Sequence, residues 1–305
     1  MTSTPTMSGV LAPVVTPFKP DLSPDADRYL AHCRWLLSQN CGLAAFGTNS
    51  EANSLSTQER MELLESLVEG GLDPKRMMPG TGCCSIPDTV TLTRHAVGLG
   101  VSGVLMLPPF YYKGVSDEGL YRSFAEVIDR VRDDRLRIYL YHFPQMSGVP
   151  LGIELVGRLV ETFPGIVVGM KDSSGDRDNL HAMLKTFPGF GYFVGSESLL
   201  LTNLRGGGVG CISATANVNP NAIDGLFQGW RSDEADAMQA SLDQVRATVQ
   251  QFTLVPALKR VIAHYGSDPE WNRLRPPLVE LSEEDGSKLV ADLEAIGFEM
   301  PGLGG

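Results

Sequence analysis

The chain has 305 residues, 43% of them hydrophobic and 20% charged, which is enough apolar material to bury one large core and too much for a disordered polymer. Thirty-six acids against 25 bases give a formal net charge of −11, a balance that repels nucleic-acid backbones and anionic lipid surfaces. No uncharged apolar run approaches the ~18 residues of a spanning helix, so neither nucleic acid nor membrane is expected as a partner.

The opening residues, MTSTPTMSG, lack the basic start and apolar stretch of a secretory signal, so residues 1–8 are expected to be a short mobile tail on a cytoplasmic protein. From residue 9 onward, short runs rich in β-branched and apolar residues recur. All but one end in Gly, Pro, Ser or Thr, and each leads into a stretch with helical apolar spacing. The runs are 9–16 (GVLAPVVT), 42–48 (GLAAFGT), 76–82 (RMMPGTG), 103–109 (GVLMLPP), 137–144 (RIYLYHFP), 166–173 (IVVGMKDS), 192–197 (YFVGSE) and 208–215 (GVGCISAT). The intervening helices are expected at 25–39, 57–70, 86–99, 116–131, 153–162, 178–186 and 198–205. Ser56 and Thr57 offer an N-cap, and Glu59 and Glu62 are acids that suit the start of the second helix.

Eight strands, each followed by a helix, predict an α/β chain folded as a (β/α)8 TIM barrel over residues 9–220. An open doubly wound sheet is disfavoured, because the first strand leads into no G-x-G-x-x-G turn. Residues 221–305 carry helical spacing at 222–230, 235–251, 255–264 and 283–296, with a Pro-broken turn at 275–277. They are expected to pack on the barrel as C-terminal helices.

In such a barrel chemistry belongs at the C-terminal ends of the strands. Lys171 follows five apolar or small residues, 166–170, where an ammonium costs several kcal/mol to desolvate and the neutral amine of a Schiff-base nucleophile is favoured. The chain has seven lysines, and the other six sit in polar or turn-like sequence. A lysine reaching outward from a strand end, or paired with Asp172, is the competing reading. Tyr139 and Tyr141 share one strand face. Tyr139 reads as core, whereas the Tyr141 phenol, one step from the strand end, can move protons in the cavity that holds Lys171. The segment 47–51 (GTNSE) presents free backbone N–H groups at a strand-to-helix turn, which suits a carboxylate or an ordinary helix cap. The five cysteines are odd in number and form no C-x-x-C, so they read as reduced thiols. The five histidines have no ligand spacing, so no metal is expected.

With these residues in view, the chain resembles the dihydrodipicolinate synthase and N-acetylneuraminate lyase family of (β/α)8 class I aldolases from about residue 9 to the C-terminal helices. The resemblance rests on GTNSE at 47–51, PFYY at 109–112, YHFP at 141–144, GMK at 169–171 and ISATAN at 212–217. It implies that Lys171 forms an imine with C2 of pyruvate or another 2-oxo acid and that Tyr141 is the acid/base, its proton relayed through Thr48. Tyr111, or its neighbour Tyr112, would complete the relay from an adjoining subunit. The N–H groups of Thr48 and Asn49 would grip the pyruvyl carboxylate, Gly195 and Ile212 would line the pocket, and Ser173, Ser196 and Glu197 would meet the rest of the substrate. No cofactor beyond the covalent imine is implied, and a homotetramer built from dimers is. Met146 stands where dihydrodipicolinate synthases carry an arginine. Together with PFYYKG at 109–114, MKDS at 170–173 and PLVELS at 277–282, it makes the chain similar to 4-hydroxy-2-oxoglutarate and 2-keto-3-deoxy sugar-acid aldolases. The expected activity is a lyase acting on the C3–C4 bond of a 4-hydroxy-2-oxo acid. The alternatives are dihydrodipicolinate synthesis, dehydration of a deoxy sugar acid through the same imine, or non-catalytic binding of a 2-oxo acid.

Overall fold

The computed structural model describes residues 7–303. Seven strands, β1 (Gly9–Ala12), β2 (Gly42–Leu43), β3 (Val104–Met106), β4 (Ile138–His142), β5 (Val167–Asp172), β6 (Gly191–Val194) and β7 (Gly210–Ile212), pair in parallel in the order β2-β1-β7-β6-β5-β4-β3. The open side between β2 and β3 is spanned by residues 77–81. Met78 and Gly80 donate N–H bonds to the carbonyls of Leu43 (2.8 Å) and Ala45 (2.7 Å). On the other side Leu105 donates to Pro79 (2.9 Å) and Thr81 to Leu105 (2.9 Å). The ring is thereby closed as a (β/α)8 barrel. The third expected strand makes only isolated bridges, Leu43 to Met77 and Gly80 to Leu105, and Pro79 at its centre has no N–H to give a ladder.

Helices α1 (Ala26–Ser38), α2 (Thr57–Glu69), α3 (Ile86–Gly98), α4 (Asp117–Val131), α5 (Pro144–Ser147), α6 (Ile153–Thr162), α7 (Arg177–Thr186), α8 (Leu200–Arg205) and α9 (Pro220–Gly229) follow the strands. The expected cap at Ser56 is present as a reciprocal box, Ser56 accepting from the Glu59 N–H while Glu59 accepts from the Ser56 N–H. The single turn α5 was not anticipated. Helix α9 packs against β1 and completes the outer ring, so the barrel extends past the expected boundary at 220. The last three helices are α10 (Ala235–Val249), α11 (Leu254–Tyr265) and α12 (Glu283–Ala295). Among the described residues no helix is long and apolar enough to cross a membrane.

Alternation along the strands divides the apolar residues into two bodies. Leu140, Met170, Val194 and Cys211 face the helices and join the large outer core. Leu11, Ala44, Met78, Leu105, Tyr139, Phe193 and Ile212 form a separate plug within the barrel. Tyr139 is core, as its place on β4 implied. Its phenol oxygen accepts the Met7 N–H at 2.8 Å, and residues 1–6 of the expected tail lie outside the described residues. The plug needs glycine at 169, because a Cβ there would overlap the Tyr139 ring and the Gly191 carbonyl. The site sits on the floor that this plug provides.

Candidate active site

Tyr141 on β4 and Lys171 on β5 are register partners, so neighbouring strands project both side chains to the same side. Lys171 is only 2% exposed, and its Nζ lies 4.3 Å from the centroid of the Tyr141 ring. It makes no ion pair or hydrogen bond among the described residues. Asp172 does not pair with it. That carboxylate accepts from the Ser174 N–H (2.8 Å), Asn179 Nδ2 (2.8 Å) and the Tyr192 hydroxyl (2.5 Å). Strand alternation sends the two side chains to opposite faces, which removes the competing reading of Lys171. His142, also turned outward, accepts the Leu151 N–H on Nδ1, and burial lowers its pKa.

The turn after β2 approaches Tyr141 from across the barrel. Thr48 Oγ1 and the Tyr141 hydroxyl are 3.3 Å apart, joined by a hydrogen bond. The turn is held from below: the Gly47 N–H donates to Ser50 Oγ (3.2 Å) and Thr16 Oγ1 donates to the Ser50 carbonyl (2.7 Å). The N–H groups of Thr48 and Asn49 have no acceptor among the hydrogen bonds of the described residues. Glu51 closes the turn in a left-handed conformation, φ 55°, and is buried against Lys259 of α11. Lys259 donates as well to the Arg273 carbonyl at 2.9 Å, and the Arg275 N–H donates to the second Glu51 oxygen at 3.2 Å. Desolvation pushes Glu51 upward from the ordinary carboxylate range and Lys259 down to about 8, and the mutual attraction of the pair opposes both shifts.

Above these groups opens a cavity of about 690 Å³, within the range of small-molecule sites. Thr48, Asn49, Tyr141, Lys171, Ser173, Gly195, Ser196 and Met146 all line it. Three expected site residues do not. Glu197 is 1% exposed and turned away from the cavity, accepting hydrogen bonds from Ser213, Thr215 and Arg246, because a carboxylate excluded from water needs those donors. Ile212 belongs to the apolar plug below. Tyr111 is 75% exposed, edge-on to the equally exposed Tyr112, and neither lines the cavity of its own chain.

Part of the cavity wall comes from the C-terminal segment, which the sequence reading treated as packing alone. Arg246, Gln250, Thr253, Leu254, Val255 and Leu278 contribute to it. One signal was available: Arg246 shares the apolar face of α10 with Leu242, Val245 and Val249, an unusual place for a guanidinium. Lys259 carried the same signal within Val255, Leu258 and Ile262, and it corrects the expectation that every lysine except Lys171 lies in polar surroundings. Among the described residues no three His, Cys, Asp or Glu side chains are placed to share a metal ion.

Comparison with known proteins matches residues 6–296 to the model of the dihydrodipicolinate synthetase family. An uncharacterized DapA-like lyase of Chloroflexus aurantiacus is 33% identical, the match covering 94% of this chain and 96% of that protein. Among solved structures, dihydrodipicolinate synthase from Agrobacterium tumefaciens superposes with a TM-score of 0.88 at 33% identity, over 95% of this chain and 99% of that one. YagE, a prophage protein of Escherichia coli solved in complex with pyruvate, gives 0.88 at 27% identity, over 96% and 100%.

Proposed function

The chain belongs to the dihydrodipicolinate synthetase family, a family of lyases, and from that premise we propose that it cleaves or forms the C3–C4 bond of a 4-hydroxy-2-oxo acid through an imine on Lys171, releasing or using pyruvate. The reading is carried by one observation: a buried amine without a carboxylate partner stands 4.3 Å from a tyrosine ring whose hydroxyl is bonded to Thr48. No carboxylate or hydrogen bond occupies its Nζ among the described residues, and it faces a cavity large enough for a small keto acid.

In the cleavage direction Lys171 attacks C2 of the substrate, and Tyr141 gives a proton to the departing carbinolamine hydroxyl, which leaves as water. The phenolate then removes the C4 hydroxyl proton, the C3–C4 bond breaks, and its electrons pass to the imine nitrogen as an enamine. An aldehyde departs. The proton taken from the C4 hydroxyl returns to C3, and water adds to the resulting imine to release pyruvate and free the amine. The imine nitrogen is the electron sink, so the proposed route calls for no metal or organic cofactor. The unoccupied N–H groups of Thr48 and Asn49 would receive the pyruvyl carboxylate. A homotetramer of dimers, with Tyr111 exposed to serve a neighbouring subunit's relay, completes the proposal.

Dihydrodipicolinate synthesis would use the same imine, and the likeness to the Agrobacterium enzyme favours that second reading. Met146 weighs against it, because this 62% exposed side chain on the cavity wall offers no charge to an aldehyde's carboxylate. The test is borohydride reduction in the presence of pyruvate, followed by intact mass and peptide mapping. A stable adduct on Lys171 is expected, and an unmodified Lys171 overturns the mechanism. Turnover of 4-hydroxy-2-oxo acids with release of pyruvate separates the aldolase from a dehydratase, which leaves the carbon chain whole.

A further inference from the structure

Apart from Lys171, the only basic side chain on the cavity wall among the described residues is Arg246, and four of its five guanidinium N–H donors are engaged. Nη1 donates to Glu197 (3.3 Å) and to Ser213 Oγ (3.1 Å). With the Gln250 amide oriented by its neighbours, Nη2 and Nε both donate to its oxygen at 3.0 Å. Glu197, which also accepts from Ser213 and Thr215, balances the charge of Arg246 inside the protein. The arrangement therefore fixes one amide. Gln250 follows α10 at the cavity edge, its oxygen is held by Arg246, and its NH2 group is left without a partner among the described residues.

We infer that Gln250 is a specificity-determining residue for the aldehyde half of the substrate, with Arg246 and Glu197 as the positioning residues behind it. This rests on the Schiff-base reading of Lys171 and extends it to the substrate's far end. An amide NH2 donates to a hydroxyl or carbonyl oxygen. Apart from Lys171, Arg246 and Asp172, whose carboxylate already accepts from Ser174, Asn179 and Tyr192, the cavity lining is neutral. A carboxylate entering here would lose its water and meet no uncompensated cation, whereas a hydroxyl would find the Gln250 donor already oriented. The aldehyde selected is thus uncharged and hydroxylated.

The experiment measures condensation of pyruvate with three aldehydes: glyceraldehyde, propionaldehyde, which lacks the hydroxyls, and glyoxylate, which carries a carboxylate. The unsubstituted protein is expected to prefer glyceraldehyde over both. Gln250→Ala, a change at an exposed position, is expected to raise the glyceraldehyde KM about tenfold, with kcat changed less than twofold and the propionaldehyde constants unmoved. Arg246→Met is expected to shift the same glyceraldehyde-to-propionaldehyde ratio in the same direction. Glyoxylate as the best acceptor, or an unchanged ratio in Gln250→Ala, overturns the inference. Borohydride trapping with pyruvate, run alongside on the unsubstituted protein, tells the two failures apart. An adduct on Lys171 with an unchanged ratio defeats only the role of Gln250, and no adduct defeats the mechanism and this inference together.

Discussion

The molecule buries two lysines in two different ways. Lys171 projects into the mouth of the barrel, beside an aromatic ring and beneath a cavity, with no carboxylate in reach. Lys259 is wholly excluded from solvent within α11. It is bonded to Glu51 and to the Arg273 carbonyl, with its ammonium 4.6 Å from the Phe18 ring centroid. Burial alone therefore does not make a nucleophile. Both amines are buried, but the second is held by two acceptors and an aromatic ring and does not line the cavity. Lys259 acts as a tether, fixing the C-terminal helices to the turn that carries Thr48. Lys171 has the two things a reacting amine needs, an unoccupied lone pair when neutral and room for a ketone.

The comparison breaks most sharply if the two amines are exchanged in their consequences. Lys171→Met should reduce pyruvate-releasing activity to background and abolish the borohydride adduct, because in the proposed route no other group forms the imine. The same change should leave thermal unfolding near that of the parent protein, since no buried partner is orphaned and the methionine fills most of the volume. A large loss of Tm in this variant would show that Lys171 is structural.

Tyr141→Phe tests the proton transfer separately from the attack. The ring that flanks Lys171 remains, and only the hydroxyl bonded to Thr48 is removed. Turnover should fall by ~10²–10⁴-fold, the usual scale for a positioned acid/base. Slow trapping of pyruvate on Lys171 should persist over hours, and a variant that turns over at the parent rate would remove Tyr141 from the mechanism.

Lys259→Met should show the opposite pattern. Glu51 would be left buried without its counter-ion, and breaking such a pair costs about 3–5 kcal/mol, read as a reduced urea midpoint. Protein that remains folded should still be trapped by pyruvate, and the adduct should map to Lys171. The double variant Lys259→Met with Glu51→Leu should recover much of the stability by removing both charges together. If the single change were silent, the tether would not exist.

How far each lysine was legible follows from this contrast. Lys171 lay in a strand whose apolar run, 166–170, was plain, and its chemistry depends on neighbours that strand periodicity places in register, Tyr141 above all. The barrel was readable for the same reason: eight repeats of a local pattern need no long-range information. The partnership of Glu51 with Lys259 joins residues 208 positions apart, and no local spacing announces it. The wall formed by Arg246 and Gln250 was missed because amphipathic helices look alike whether they cover a core or a cavity. Glu197 was misplaced for a related reason. Its position at a strand end was correct, but the direction of its side chain was decided by Ser213, Thr215 and Arg246, all distant in sequence. Tyr111 was placed in the site by motif alone, and on its own chain it lies exposed beside Tyr112.

The smallest expected effect sharpens the tethering side of the contrast. Glu59 accepts from both terminal nitrogens of Arg275, whose Nε and Nη1 also donate to the carbonyls of Leu22 and Ser54, so this pair ties α2 to the same C-terminal segment as Lys259. Its bonds with Arg275, more than any other factor, bring the Glu59 carboxyl down to about 2 from 4.5. A carboxyl whose folded pKa is depressed stabilises the protein fully above its unfolded value, and that contribution is lost as pH falls through 4.5 toward 2. Glu59→Gln keeps an acceptor for the Ser56 cap and removes the charge together with one of the two oxygens that face Arg275. It should cost about 1 kcal/mol at pH 7, since the pair is partly exposed and screened. Urea unfolding of both proteins between pH 7 and pH 3 should show the difference shrinking as acid protonates Glu59 in the unfolded chain. A difference that stayed constant across that range would assign the loss to the cap and remove the Glu59–Arg275 pair as an ionic tether, leaving that role to Lys259 with Glu51.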